Sequence, residues 1–256
     1  MKKFVMLVLA VLIIHTQCFA QELRLPVLMY HNINDEYDPR NTNVEMSASD
    51  FKNQMTALKE NGYSAILFDD YINYINGEGV LPEKPVLVTF DDGYLNNYTV
   101  AFPILKELDM KATIFVVTGR MGVDGVVTYP HFTWEQAKQM YDSGYIDIQS
   151  HTHFHSELIN LPRNELVVEL RKSKYLIEKN VGKKVNVLAY PYGFSNNTVR
   201  NEARLAGYEA CVEINDKIPK VNSENSSQYK LCRITAYGGV SGERLLKVIE
   251  EAVYEN

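Results

Sequence analysis

Two adjacent aspartates, Asp91 and Asp92, close an apolar run in "LVTFDDGY" (residues 87–94), and three of the chain's six histidines fall within "SHTHFH" (residues 150–155). His151 and His155 lie four positions apart, so their imidazoles converge on one ion if the chain turns after a strand. His151 and His153 share a face only if the strand continues. Two imidazoles and one carboxylate make a metal set that leaves a position open for water, and either Asp91 or Asp92 is placed to complete it. A solvated loop is the ordinary reading of a lone histidine pair, as an exposed turn is of a lone "DDG". Found together, at the ends of separate strand-like runs, they point instead to a hydrolytic centre. Two neighbouring carboxylates resist ionising together unless a cation neutralises one of them. If Asp92 takes the metal, Asp91 stays ionised beside it and accepts a proton from the attacking water, which is general-base catalysis of hydrolysis.

Such side chains need rigid elements behind them. Eight strand-like runs, "LPVLMYH", "YSAILF", "KPVLVTF", "KATIFVV", "IDIQSH", "VNVLAYP", "YEACVE" and "YKLCRIT", are interleaved with helix-period segments over residues 49–61, 98–108, 134–143, 163–180, 198–206 and 244–254. Strand and helix taking turns implies parallel strands with crossover helices, an α/β class and one barrel-like unit. Thr133 with Gln136 is a capping box, Pro162 sits near a helix start, and Gly62, Gly144 and Gly207 follow helix ends. Phe51, Met55 and Leu58 repeat as one buried stripe. The single tryptophan, Trp134, follows the Thr133 cap and reads as packing at a helix start rather than as a sugar platform. In folds of this class the chemistry sits at the carboxyl ends of the strands. The polar residues fall there: His31 after "PVLMY", Asp91 and Asp92 after "VLVTF", His151 after "IDIQS", and Pro191 and Tyr192 after "VNVLAY".

"TFDDGY" (residues 89–94), "SHTHFH" and "AYPYG" (residues 189–193) resemble, in order, the motifs of the polysaccharide deacetylases, the NodB-homology domain of carbohydrate esterase family 4. Surrounding text such as "FTWEQAKQMYDSGYIDIQSHT" is similar too, and the resemblance runs from "LPVLMYHNI" to "LCRITAY". It implies a distorted (β/α) barrel and metal-dependent removal of acetyl groups from an amino-sugar polymer, whether poly-N-acetylglucosamine, peptidoglycan or a chitin-like glycan. It also implies Asp91 as catalytic base and Asp92, His151 and His155 as ligands of a divalent ion, most often zinc. The backbone N–H of Tyr192 matches a donor to the oxyanion, where negative charge develops. Tyr190, Pro191 and Tyr192, at a strand end beside the site, are expected to line the glycan groove. Two departures stand out. Many members carry an arginine that buttresses the base where this chain has Ala189, and no histidine follows His155 to serve as a late general acid. His31 is expected to supply that acid: it closes the first strand, which in a closed barrel neighbours the last ones. An early "YH" with an arginine-less third motif is similar to the biofilm poly-N-acetylglucosamine deacetylases. His131 and His153 are read as solvated or supporting residues.

Residues 1–20 place Lys2 and Lys3 ahead of an apolar run over residues 4–14, with small Cys18 and Ala20 near the end, the pattern of an export signal. The run is shorter than the roughly 20 residues of a spanning helix. The expectation is an exported protein, periplasmic, cell-surface or secreted, with residues 21–256 as one catalytic domain and no membrane span after signal removal. Loss of the signal takes two lysines and no acids, so 24 basic residues face 32 acidic ones, a net charge of −8. That charge disfavours nucleic acid as a partner and leaves an acetylated polysaccharide as the expected one. Cys211 and Cys232 remain, either as a disulfide or as two thiols. No motif encodes an oligomeric state. Two rival functions stay open: an O-acetyl esterase on xylan or another glycan, whose leaving group needs less protonation, and a non-catalytic glycan binder, suggested by the missing arginine.

Overall fold

Parity along the strands organises this molecule, for which a computed structural model describes residues 23–36, 40–124, 129–214, 222 and 226–254. The strands are β1 (Val27–Tyr30), β2 (Asn32–Ile33), β3 (Glu45–Met46), β4 (Ser64–Ile66), β5 (Pro85–Phe90), β6 (Ala112–Val116), β7 (Ile146–Ser150), β8 (Val187–Ala189), β9 (Ala210–Ile214) and β10 (Leu231–Thr235). The helices are α1 (Ala48–Glu60), α2 (Phe68–Ile75), α3 (Phe102–Glu107), α4 (Trp134–Asp142), α5 (Arg163–Val181), α6 (Asn197–Leu205) and α7 (Gly242–Tyr254). Seven parallel strands run β1-β10-β9-β8-β7-β6-β5, and β1 pairs back onto β5, so the sheet closes into the expected (β/α) barrel. β4 pairs with the first half of β5, and β2 with β3 forms a separate short parallel pair.

Because side chains alternate across a strand, each strand feeds two layers. Val27, Leu87, Phe115, Val187, Ala189, Ala210, Val212 and Leu231 form one buried cluster inside the barrel. Leu28, Val86, Val88, Phe90, Ile114, Ile146, Ile148 and Leu188 belong to a second cluster, which they share with the helices. The expected stripe on α1, Phe51, Met55 and Leu58, is wholly buried there. Ser47 caps this helix by accepting from Asp50 N at 3.0 Å. Thr133 and Gln136 form the reciprocal box at the start of α4, and Gly182 ends α5 in the left-handed region at φ 82°.

Two boundaries differ from the sequence reading. The run "YSAILF" ends as a strand at Ile66, and Phe68 opens α2, because the Asp70 carboxylate accepts from Leu67 N at 2.9 Å and two acids in the first turn favour a helix start. Phe68, Tyr71 and Ile72 then pack into the inner cluster, and Asn186, just before β8, donates to Asp69 at 2.9 Å. α2 thus lies across the amino end of the barrel. The segment expected as a helix from residue 98 opens instead with a π-helical turn, Asn97–Ala101, before α3. Cys211 on β9 and Cys232 on β10 are not joined in a disulfide, and burial pushes the Cys211 thiol up to about 12. No described helix is long and apolar enough to cross a membrane. The expected signal, residues 1–20, lies outside the described residues.

Candidate active site

The inward parity that packs the barrel with aliphatics lower down delivers polar groups at its carboxyl end. On β5 it continues through Leu87 and Thr89 to Asp91; on β7 through Asp147 and Gln149 to His151; on β10 from Leu231 to Arg233; on β1 from Val27 to His31. β1 and β5 are in register at Tyr30 and Phe90, and Asp91 N donates to Tyr30 O at 3.0 Å, so His31 and Asp91 leave adjacent strands side by side. Asp91 and His151 are almost fully buried.

Arg233 is the residue that sequence reasoning missed. Its guanidinium, without solvent exposure, holds Asp91 through two bonds, Nη1 to Oδ1 and Nη2 to Oδ2, each 2.7 Å. This fork satisfies both carboxylate oxygens in one plane. Ala189 is inward-facing and small, and the charge expected at that position arrives from β10 instead. Burial alone raises the Asp91 carboxyl, but Arg233, with His151 and His31 adding to it, outweighs burial and holds Asp91 well below the usual carboxylate range. Asp91 therefore has its arginine although position 189 is an alanine, and the absence of arginine there no longer points to a non-catalytic binder. A signal was present: in "YKLCRIT", Arg233 shares parity with the core residue Leu231 and is a charge on a face that is otherwise apolar.

Asp92, His151 and His155 present one ligand atom each, all within 4.8 Å of one another. Asp92 Oδ1 lies 3.6 Å from His155 Nε2 and 3.9 Å from His151 Nε2. Two ligands about 2.1 Å from a tetrahedral ion stand roughly 3.4 Å apart, so these separations need only a few tenths of an ångström of closure. Asp92 Oδ1 is buried with no hydrogen-bond partner, which is costly unless a cation or water meets it. His151 Nδ1 sits 2.9 Å from Ala189 O; a carbonyl only accepts, so Nδ1 carries the proton and Nε2 offers its lone pair toward Asp92. The residues present fit a divalent ion, and the donor set suits zinc.

Backbone strain gathers at the same place. Asp92 (φ 72°), Thr152 (φ 68°), His155 (φ 61°) and Tyr192 (φ 59°) occupy the left-handed region, which non-glycine residues adopt at a cost. These turns aim the ligands: the chain reverses after β7, His155 comes back over His151 with ring centroids 4.7 Å apart, and Tyr192 covers His155 at 4.7 Å. Gly193 is required by its φ of 75° and by a close approach, since a Cβ there would stand 2.5 Å from Ile214 N. Glu169 on α5 anchors the histidine loop, accepting from His153 N and Phe154 N at 2.8 Å each and from Ser156 Oγ at 3.1 Å. Burial, with the Asp92 charge nearby, raises the Tyr94 phenol well above its ordinary value.

The groove residues divide. Tyr192 is 55 % exposed and free to meet a ligand, and its backbone N–H lies in the turn beside the histidines. Tyr190 is fully buried, donates to Tyr229 O at 3.2 Å and belongs to the outer core, so it does not line a groove as expected; parity alone turns it away from the barrel mouth. Pro191 is buried as well and serves the turn rather than a ligand. His31 is partly buried and faces Asp91, Asp92, Arg233 and His151; burial lowers its imidazole below the usual value. His153 bonds Thr118 at 2.9 Å, and His131 is buried against Tyr94, so neither is solvated.

A closed parallel barrel with a buried arginine-paired carboxylate and a cluster of one aspartate and two histidines that could hold a metal ion at its carboxyl end has the architecture that barrel hydrolases use. The comparisons narrow that class: residues 78–211 match the family model described as polysaccharide deacetylase. YxkH of Bacillus subtilis (strain 168) is 33% identical over 227 residues, covering 89% of this chain and 76% of that protein. The poly-beta-1,6-N-acetyl-D-glucosamine N-deacetylase of Staphylococcus aureus (strain MSSA476) is 28% identical over 203 residues, 75% of this chain and 68% of that protein. The structure of the Streptococcus pyogenes deacetylase PplD in complex with acetate superposes with a TM-score of 0.80 at 28% identity, covering 90% of this chain and 99% of that one. This chain belongs to the polysaccharide deacetylase family, hydrolases of carbon–nitrogen bonds other than peptide bonds.

Proposed function

We propose that this chain is an exported, metal-dependent N-deacetylase that releases acetate from an amino-sugar polysaccharide, with poly-β-1,6-N-acetylglucosamine as the first substrate to test. The observation that carries the reading is the buried Asp91–Arg233 fork standing beside the Asp92, His151 and His155 triangle. In this reading Asp92, His151 and His155 hold a zinc ion, which when bound supplies Lewis acidity toward water and the acetyl carbonyl. Asp91, kept ionised by Arg233, takes a proton from the attacking water as its oxygen bonds the acetamide carbon. The Tyr192 N–H donates to the oxygen on which charge develops. His31 gives a proton to the departing nitrogen as the C–N bond breaks, leaving acetate and a free amine. Tyr192 presents its ring to a sugar face. Similarity to the staphylococcal enzyme supports the choice of polymer, and the lysine-led apolar segment at residues 1–20 supports export.

The test is acetate release from a panel of N-acetylated glucosamine polymers and O-acetylated xylan, before and after chelation. Release from a glucosamine polymer that stops on chelation and returns with zinc is expected. Release from xylan alone would move the chain to the esterase reading, and glycan binding without release would make it a binder.

A further inference from the structure

Four buried polar atoms without partners cluster on two dipeptides that clasp each other at the mouth of the barrel: His31 Nδ1, Asn32 Nδ2, Asn96 Oδ1 and Asn97 Oδ1. His31 joins β1 to β2, which Asn32 opens, and Asn96 and Asn97 enter the π-helical turn before α3. Asn97 Nδ2 donates to His31 O at 2.7 Å, and Asn96 Nδ2 is bonded to Asn32 Oδ1. Asn97 is 1% exposed. The accepting atom is a backbone carbonyl, which fixes the orientation of the Asn97 amide and leaves its Oδ1 as the unused acceptor. His31 Nδ1 is a buried, unused ring nitrogen on the residue Asn97 already grips. Leaving both unmet costs stability, and one buried water between them satisfies both. π-helical turns cost regular hydrogen bonding and are common at functional sites. Here the turn sets a neutral, fully buried amide against His31.

We propose that Asn97 is a positioning residue for His31: its Oδ1 accepts from Nδ1–H through one buried water, so that when the ring is an imidazolium the proton on Nε2 is the one aimed at the leaving nitrogen. The inference rests on His31 being the general acid. Around the imidazole stand Asp91 and Asp92 from β5 and its end, Arg233 from β10 and His151 from β7; an acceptor at Nδ1 fixes the ring among these charges without adding another.

The experiment compares Asn97→Leu, Asn97→Asp and His31→Ala on two substrates. One is an N-acetylated glucosamine oligomer, whose amine leaves only with a proton; the other is 4-nitrophenyl acetate, whose phenolate leaves without one. Expected for Asn97→Leu is a fall of about 10- to 100-fold in kcat on the amide, with KM, bound zinc and aryl-ester rate held and Tm lowered by the lost bond to His31 O. Asn97→Asp, which keeps an acceptor, recovers part of the amide rate. Asn97→Leu combined with His31→Ala is no slower than His31→Ala alone, because both act on one proton. Equal losses on both substrates, or a fall in zinc content, would reduce Asn97 to a structural residue and overturn the proposal. So would an unchanged amide rate in Asn97→Leu while His31→Ala is selectively slow on the amide. If His31→Ala shows no selective loss, the acid assignment itself fails and the positioning role falls with it.

Discussion

Asp91 has both oxygens committed to Arg233 where neither side chain meets solvent, and a buried fork of this kind is costly to break from one side. Removing one partner leaves an uncompensated charge, a loss of about 3–5 kcal/mol. Arg233→Met is therefore expected to lower unfolding free energy by about that amount, and Asp91→Asn in the same chain to recover much of it; urea unfolding of the three variants reads both effects. The folded pKa of Asp91 lies below its unfolded value, so the pair stabilises fully above about pH 4 and is lost as pH falls through the folded value. His131 works in the same sense over a higher window. Burial pushes its imidazole down to about 4, and neither ring nitrogen has a partner. Between its unfolded value near 6.5 and about 4, the unfolded chain binds the extra proton, so stability falls as pH is lowered through that window. His131→Gln is expected to flatten the corresponding slope in Tm against pH, measured in chelator so that metal loss does not intrude. Asp91, Asp92, His151 and His155 were legible because their types, spacing and strand-end positions agree. Arg233 was not, because its partner is 142 positions away and only the barrel's closure brings β10 across from β5.

Elements were legible where one period ruled. The stripe of α1, Phe51, Met55 and Leu58, and the Thr133–Gln136 box of α4 follow directly from helical period and capping chemistry. The β4–α2 boundary was not, because "SAILF" is apolar in either conformation and a single backbone bond to Asp70 decides it. The left-handed residues of the histidine loop were equally hidden, since histidine and threonine carry no signal for positive φ. That loop depends on α5. Glu169 gathers three donors from it, and a charged acceptor serving two backbone N–H groups is a strong anchor. Glu169→Ala is expected to weaken zinc binding by about 10- to 100-fold while leaving helix content unchanged, a split that calorimetric titration and circular dichroism resolve. Unchanged affinity would mean that the strained turns hold the ligands without α5.

Across the whole molecule, seven strands close a barrel too narrow to hold a ligand in its interior, and the inward residues fill it. Chemistry is left to the carboxyl rim, while α2 lies across the other end. Family membership and the deacetylase class rest on the matched sequence and superposed fold; the division of labour at the rim rests on geometry. Each Asp91 oxygen accepts one bond from Arg233 and keeps a second lone pair open to a proton, whereas Asp92 keeps a buried oxygen unpartnered and turned toward two histidine nitrogens. The most direct test of that division is the zinc content of purified Asp91→Asn and Asp92→Asn proteins, read beside acetate release. Asp91→Asn is predicted to hold one equivalent of zinc and release no acetate, and Asp92→Asn to hold none. An Asp91→Asn protein that turns over normally, or an Asp92→Asn protein that keeps its zinc, would contradict the account.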